Sequence, residues 1–124
     1  MGLTPKQVQN YIKRQKRVKG ESYPLSSGDN SGLQVQLPGT ARVWLGFVIE
    51  ETLLEDGAPL SGLLSLIINN EVVIEDTLVS FFGKDFTDEE YYFIPRPLSG
   101  QDDIQFKVTG VNDNYTLNVA NYYL

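Results

Sequence analysis

The chain has 124 residues and contains neither cysteine nor histidine. Without cysteine there are no disulfides, zinc–thiolate centres or thiol nucleophiles. Without histidine the commonest general base is missing, and with it the Ser-His-Asp and Cys-His arrangements of nucleophilic hydrolases. No apolar run approaches the roughly 20 residues that cross a bilayer, so no membrane span is expected, and the first residues lack the apolar stretch of a secretion signal. Phosphate-cradling glycine loops and nucleophile elbows are also missing. Carboxylates are the only plentiful acid–base groups. Their adjacent pairs, Glu55-Asp56, Glu89-Glu90 and Asp102-Asp103, suit solvated loops, because neighbours on a strand point to opposite faces and cannot flank one bond. Asp29-Asn30, Asp85 with Asp88, and Asn112-Asp113-Asn114 offer oxygens, but without the spacing of an EF-hand loop. The expectation is a non-enzymatic protein with no cofactor and no bound metal.

Positive charge is scarce beyond residue 20, where four basic side chains stand against sixteen acidic ones, a balance of −12. The other six, Lys6, Lys13, Arg14, Lys16, Arg17 and Lys19, fall in the first twenty residues, which hold no acid. That stretch carries helix signals. Thr4, Pro5 and Gln7 occupy the cap, first and third positions of a capping box; Leu3 and Val8 can close a hydrophobic staple, and Gly20 suits a left-handed stop. Val8, Tyr11, Ile12, Gln15 and Val18 recur on one side, with Lys6, Lys13, Arg14 and Arg17 on the other. The spacing predicts one N-terminal basic amphipathic helix over residues 1–20, too short to be stable alone in water. Such an arm can dock in a groove of another subunit through Val8, Tyr11, Ile12 and Val18, with its six cations near acidic surface. It can also pack on its own sheet, or contact phosphates. Docking on a protein is favoured over nucleic acid because a body of −12 repels a polyanion.

Residues 21–32 read ESYPLSSGDNSG, the chemistry of a polar linker whose reach is roughly 20 Å. Residues 33–124 form the body. Alternation and turn residues predict strands over 33–37, 41–50, 63–68, 72–74, 77–82, 91–94, 104–108 and 115–119, with a hairpin at Asn69-Asn70 and a loop over 83–90. Alternation over 41–50 places Ala41, Val43, Leu45, Phe47 and Ile49 on one face, and Arg42, Trp44, Gly46, Val48 and Glu50 on the other. The fold class is mainly β: an antiparallel β-sandwich or jelly-roll-like body. The stretches 63–68 and 78–82 are apolar on both faces, as central strands or subunit contacts are. Leu64, Ile67 and Phe82 are therefore the candidate interface positions of a homo-oligomer. Tyr91-Tyr92-Phe93 and Tyr122-Tyr123 have the rings of a sugar-stacking platform, but alternation turns one member of each run inward, which suits core and interface better.

The segments VQLPGTARVWLG at 35–46 and FIPRPLSGQD at 93–102 resemble the small β-sandwich or jelly-roll virion proteins of bacteriophages. The resemblance extends over residues 33–124. It implies a shell, vertex, decoration or fibre-base component whose N-terminal arm fastens it to other virion proteins, assembled in the host cytoplasm. A different class, a β-sandwich module binding carbohydrate or a host protein, is the alternative.

Overall fold

The structure is a computed structural model that describes residues 4–7, 10, 16–84 and 91–124. Eight strands carry the body: β1 Arg17–Leu25, β2 Gly28–Gln34, β3 Val43–Ile49, β4 Leu63–Ile68, β5 Glu71–Leu78, β6 Tyr92–Pro97, β7 Ile104–Val111 and β8 Tyr115–Tyr123. They form two antiparallel four-stranded sheets, ordered β1-β8-β3-β6 and β2-β7-β4-β5, which enclose the core as a sandwich. The pairing is nested: β1 with β8, β2 with β7, β3 with β6 and β4 with β5. The chain is thus laid down as one long hairpin folded across itself, with β3·β8 and β4·β7 closing the two sheets. The β4–β5 hairpin turns at Asn69 and Asn70, both at positive φ, as their tolerance of that region predicts.

The inner faces meet over Trp44, Phe47 and Ile49 of β3, Leu117 and Val119 of β8, Leu64, Leu66 and Ile68 of β4, and Ile104, Phe106 and Val108 of β7. Phe47 is the hub. Its ring lies 4.8 Å from Phe106, 5.1 Å from Phe82 and 6.0 Å from Trp44, centroid to centroid.

Gly46 decides which residues of β3 reach this core. Its φ is +146°, and the register against β6 and β8 slips between Trp44 and Gly46. The bulge puts Trp44 and Phe47 on the same face, where simple alternation had separated them. Val43, Leu45 and Val48 turn instead to the outer face, joining a second apolar cluster with Tyr91, Ala120, Tyr122 and Leu124.

Three sequence expectations are corrected at the N-terminal side. A helical turn does begin at the capping box: the Thr4 N–H donates to Gln7 Oε1 at 2.8 Å and the Gln7 N–H to Thr4 Oγ1 at 3.2 Å. The helix cannot extend to Gly20, however, because Arg17–Leu25 is a strand paired residue for residue with β8, from Arg17 opposite Tyr123 to Leu25 opposite Tyr115. The expected linker over 21–32 is likewise strand, most of it in β1 and β2, and the strand expected over 33–37 lies at Gly28–Gln34 instead. Pairing of β1 along its whole length overrides the helical preference of Arg17 to Lys19.

Two smaller departures follow from edges and spacing. β6 runs on through Pro95 and Pro97, which is allowed because, among the described residues, β3 is its only partner and its other side makes no ladder. Residues Val79–Phe82 form a 3-10 turn, and the three-residue period sends Val79 and Phe82 together into the core.

Candidate interaction surfaces

The predicted arm residues divide into three groups. Val8, Tyr11, Ile12, Lys13 and Arg14 lie outside the described residues. Lys6 is exposed on the capping-box turn, and Val18 is 56% exposed on β1. The other three cations are engaged by the chain's own sheet. The Lys16 Nζ sits 5.4 Å from the centroid of Tyr91 and 5.3 Å from that of Tyr122, two rings stacked 4.4 Å apart. The Arg17 guanidinium lies 4.7 Å over Tyr123, and the Lys19 ammonium donates to the Gln36 carbonyl. Contacts of cation on ring contribute about 0.5 to 1 kcal/mol each at exposed positions.

Lys19 is one of several β1 side chains that face inward and hold the segment after β2. Glu21 Oε1 accepts the Gln36 N–H at 2.8 Å and stands 3.5 Å from the donating Asn121 Nδ2. Asn121 is fully buried, and its Oδ1 accepts the Trp44 Nε1–H at 3.2 Å. The Tyr23 hydroxyl lies 2.6 Å from the Gln34 carbonyl and 3.1 Å from Glu21 Oε2; burial above all, then the Glu21 charge, pushes its pKa well up. This polar seam closes one side of the sandwich where β1 and β2 part into different sheets. Sequence patterning missed it because the alternating inward positions of β1 carry Lys19 and Glu21, which read as surface.

Of the expected oligomer contacts, Leu64 and Phe82 are buried in the sandwich of a single chain, at 0% and 1% exposure, and cannot face a second copy. Ile67 turns to the outer face of its sheet and is half-buried. Leu63, Val72 and Leu78, which had not been singled out, are exposed on that same face by register. The aromatic runs behave as alternation suggests: Tyr91 and Tyr123 are buried, Tyr92 packs on the core, and Phe93 is exposed.

The carboxylates organise turns. Asp102 accepts from the Ser99 N–H at 2.6 Å, the Ser99 hydroxyl at 3.1 Å and Asn69 Nδ2 at 3.0 Å, and the Asn69 bond leads in holding its pKa below the usual range. Asn69 Oδ1 in turn accepts the Asp103 N–H, so the β4–β5 hairpin is tied to the loop before β7. Asp29 accepts the Gly110 N–H and so ties β2 to β7, while Asp56 accepts the Ala58 N–H within its own turn. Asp85, Asp88, Glu89 and Glu90 lie outside the described residues. Among the described residues no cluster of three or more Asp or Glu is placed to hold a metal, and no helix is long and apolar enough to cross a membrane. A hollow of about 260 Å³ opens beside the segment after β2, between Val35, Leu37, Pro38, Leu98, Asp102 and Ile104. Both oxygens of its carboxylate, Asp102, are occupied by Ser99 and Asn69.

No protein-family model, curated protein or solved structure matches the chain.

Proposed function

We propose that this chain is a non-enzymatic structural subunit of a bacteriophage virion, serving as a capsid, vertex, decoration or fibre-base component. The observation that carries the reading is the nested pairing 1·8, 2·7, 3·6 and 4·5 across two four-stranded sheets, the order of a jelly roll. Double-sheet jelly rolls recur in viral capsid domains. In this reading the N-terminal segment fastens the body to other virion proteins through Val8, Tyr11 and Ile12, with Lys6, Lys13 and Arg14 beside acidic surface.

Mass spectrometry of purified particles should find the chain in fixed proportion to the shell proteins; finding it only in the particle-free lysate would overturn the proposal. Within the full chain, Val8→Ser, Tyr11→Ser and Ile12→Ser together should abolish incorporation, while Lys13→Gln with Arg14→Gln should weaken it mainly at low salt. The reverse order, with incorporation falling steeply as salt rises, would make nucleic acid the partner. The 260 Å³ hollow favours a second reading, a module binding carbohydrate or a host protein, since lectins use the same architecture. Glycan or host-protein binding that is lost on Leu98→Trp, in a chain missing from particles, would select it.

A further inference from the structure

The outer face of the β2-β7-β4-β5 sheet has a pattern that matches itself. Register places Leu63 between Thr109 and Leu78, Ser65 beside Lys107, and Ile67 between Gln105 and Val72. A bulge sets two residues, Glu75 and Asp76, opposite Ser65, and Asp76 is the one held there: its N–H donates to Ser65 Oγ at 3.1 Å. One row across the sheet therefore reads Lys107, Ser65, Asp76, with a cation on β7 and an anion on β5. Apolar pairs flank it, Leu63 with Leu78 above and Ile67 with Val72 below. Leu63, Val72 and Leu78 are 36%, 53% and 62% exposed, and Lys107 makes no ion pair among the described residues.

We infer that this face is a two-fold contact between copies of the chain. A rotation of 180° about a line parallel to β4, in the gap between two such faces, sets β7 of each copy over β5 of the other. Lys107 then lies opposite the second copy's Asp76 on both sides of the axis, while Leu63 and Ile67 meet their own counterparts along it. Stacked sheets sit about 10 Å apart, the separation at which facing side chains interdigitate. The occupant is a second copy because the complementarity is internal: the one row that carries charge carries both signs, and the symmetry of a closed dimer brings them together.

The edges argue for the face as well. β5 is interrupted by two register shifts and carries Glu71, Glu75 and Asp76, β6 carries Pro95 and Pro97, and β2 has two register shifts of its own. The fourth edge, β1, carries Pro24 and the inward Lys19 and Glu21, so all four edges resist strand addition, which leaves a face as the route to association. The inference deepens the reading of the chain as an assembling subunit, although its geometry stands without it.

The test uses the full chain, and its lack of cysteine supplies a clean background. Light scattering at rising concentration should give a dimer mass. Leu63→Cys and Ile67→Cys, on the axis, should each be joined into dimers by a short bifunctional thiol reagent that spans the roughly 10 Å between stacked sheets, whereas Val18→Cys, on the other sheet, should stay monomeric. Lys107→Glu is solvent-facing and should leave the far-ultraviolet circular dichroism unchanged while raising the dimer dissociation constant at least about tenfold. A monomer at every concentration, cross-linking at residue 63 or 67 no faster than at residue 18, or a dimer indifferent to Lys107→Glu would each overturn the inference. Any of these outcomes leaves detection of the chain in particles as a separate question, so the two proposals fail independently.

Discussion

Gly46→Ala is the substitution whose cost the structure defines best. A Cβ built on Gly46 would stand 1.9 Å from the Tyr92 carbonyl oxygen and 2.9 Å from its carbon, both backbone atoms that no rotamer change can move. The φ of +146° adds a second cost, because a residue with a side chain rarely adopts it. Holding such a backbone costs about 1 to 3 kcal/mol, and relieving the contact by displacing β6 adds about 1 to 3 kcal/mol by analogy with overpacked cores. The expected total is about 2 to 6 kcal/mol, a large part of the roughly 5 to 15 kcal/mol that keeps a domain folded. Gly57→Ala is the matched control: its φ is +86°, but a Cβ there meets nothing within 4 Å, so only the backbone cost of about 1 kcal/mol should appear. Urea melts followed by fluorescence of Trp44, the only tryptophan and fully buried two residues from the bulge, report both variants on one scale. Equal losses for Gly46→Ala and Gly57→Ala would refute the close approach of β3 and β6 and the face assignment that depends on it.

Two further expectations concern the polar seam and the buried phenols. Asn121→Leu removes the acceptor of the Trp44 indole inside the sandwich and should cost about 1 to 3 kcal/mol. A double-mutant cycle with Trp44→Phe should return coupling of about 1 kcal/mol, and additive losses would show that the bond contributes nothing. Burial raises the pKa of Tyr115 to about 12 and that of Tyr23 further, so for both the folded value exceeds the unfolded one near 10. Their contribution is complete below pH 10 and is lost as pH rises toward 12 and beyond, so thermal melts should be flat from pH 7 to about 9 and fall above about 10. Spectrophotometric titration should show a late-ionising fraction of the seven tyrosines, and ionisation of all seven near pH 10 in folded protein would contradict the burial.

Legibility in the sequence followed the source of each element's order. β4, β7 and β8 were readable because their inward positions are apolar at period two, and the Asn69-Asn70 turn because two asparagines accept positive φ. The capping box was readable because it is a local bond between Thr4 and Gln7. β1 was not, since a strand held by its partner, with Lys19 and Glu21 bonding backbone on its inner side, has no apolar period to show. β3 was found but its faces were scrambled, because one glycine shifts the register by a residue and everything beyond it turns over. Two of the three interface candidates, Leu64 and Phe82, proved to be core residues for a related reason. Both-sided apolarity marked β4, but with Leu64 inward only Leu63, Ser65 and Ile67 remain for solvent or a partner, and the face is completed by Val72 and Leu78 across the hairpin and by Lys107, forty residues on from Ile67.

The redistribution of the N-terminal charges bears on what that segment can contact. Read as one helix, residues 1–20 present six cations, enough for a phosphate interaction whose affinity falls with a logarithmic salt slope of about −5. Lys16 and Arg17 instead lie over tyrosine rings of their own sheet, and Lys19 donates to Gln36. Releasing them to phosphates would forfeit those contacts, so a phosphate interaction that spares them loses roughly one unit of slope for each of these three cations. The −12 of the body further opposes a hold on a polyanion. In the docking proposed above, burial of Val8, Tyr11 and Ile12 would outweigh the ion pairs, since exposed ion pairs contribute only about 0 to 1 kcal/mol each while burying one large apolar side chain contributes about 1.5 to 3 kcal/mol.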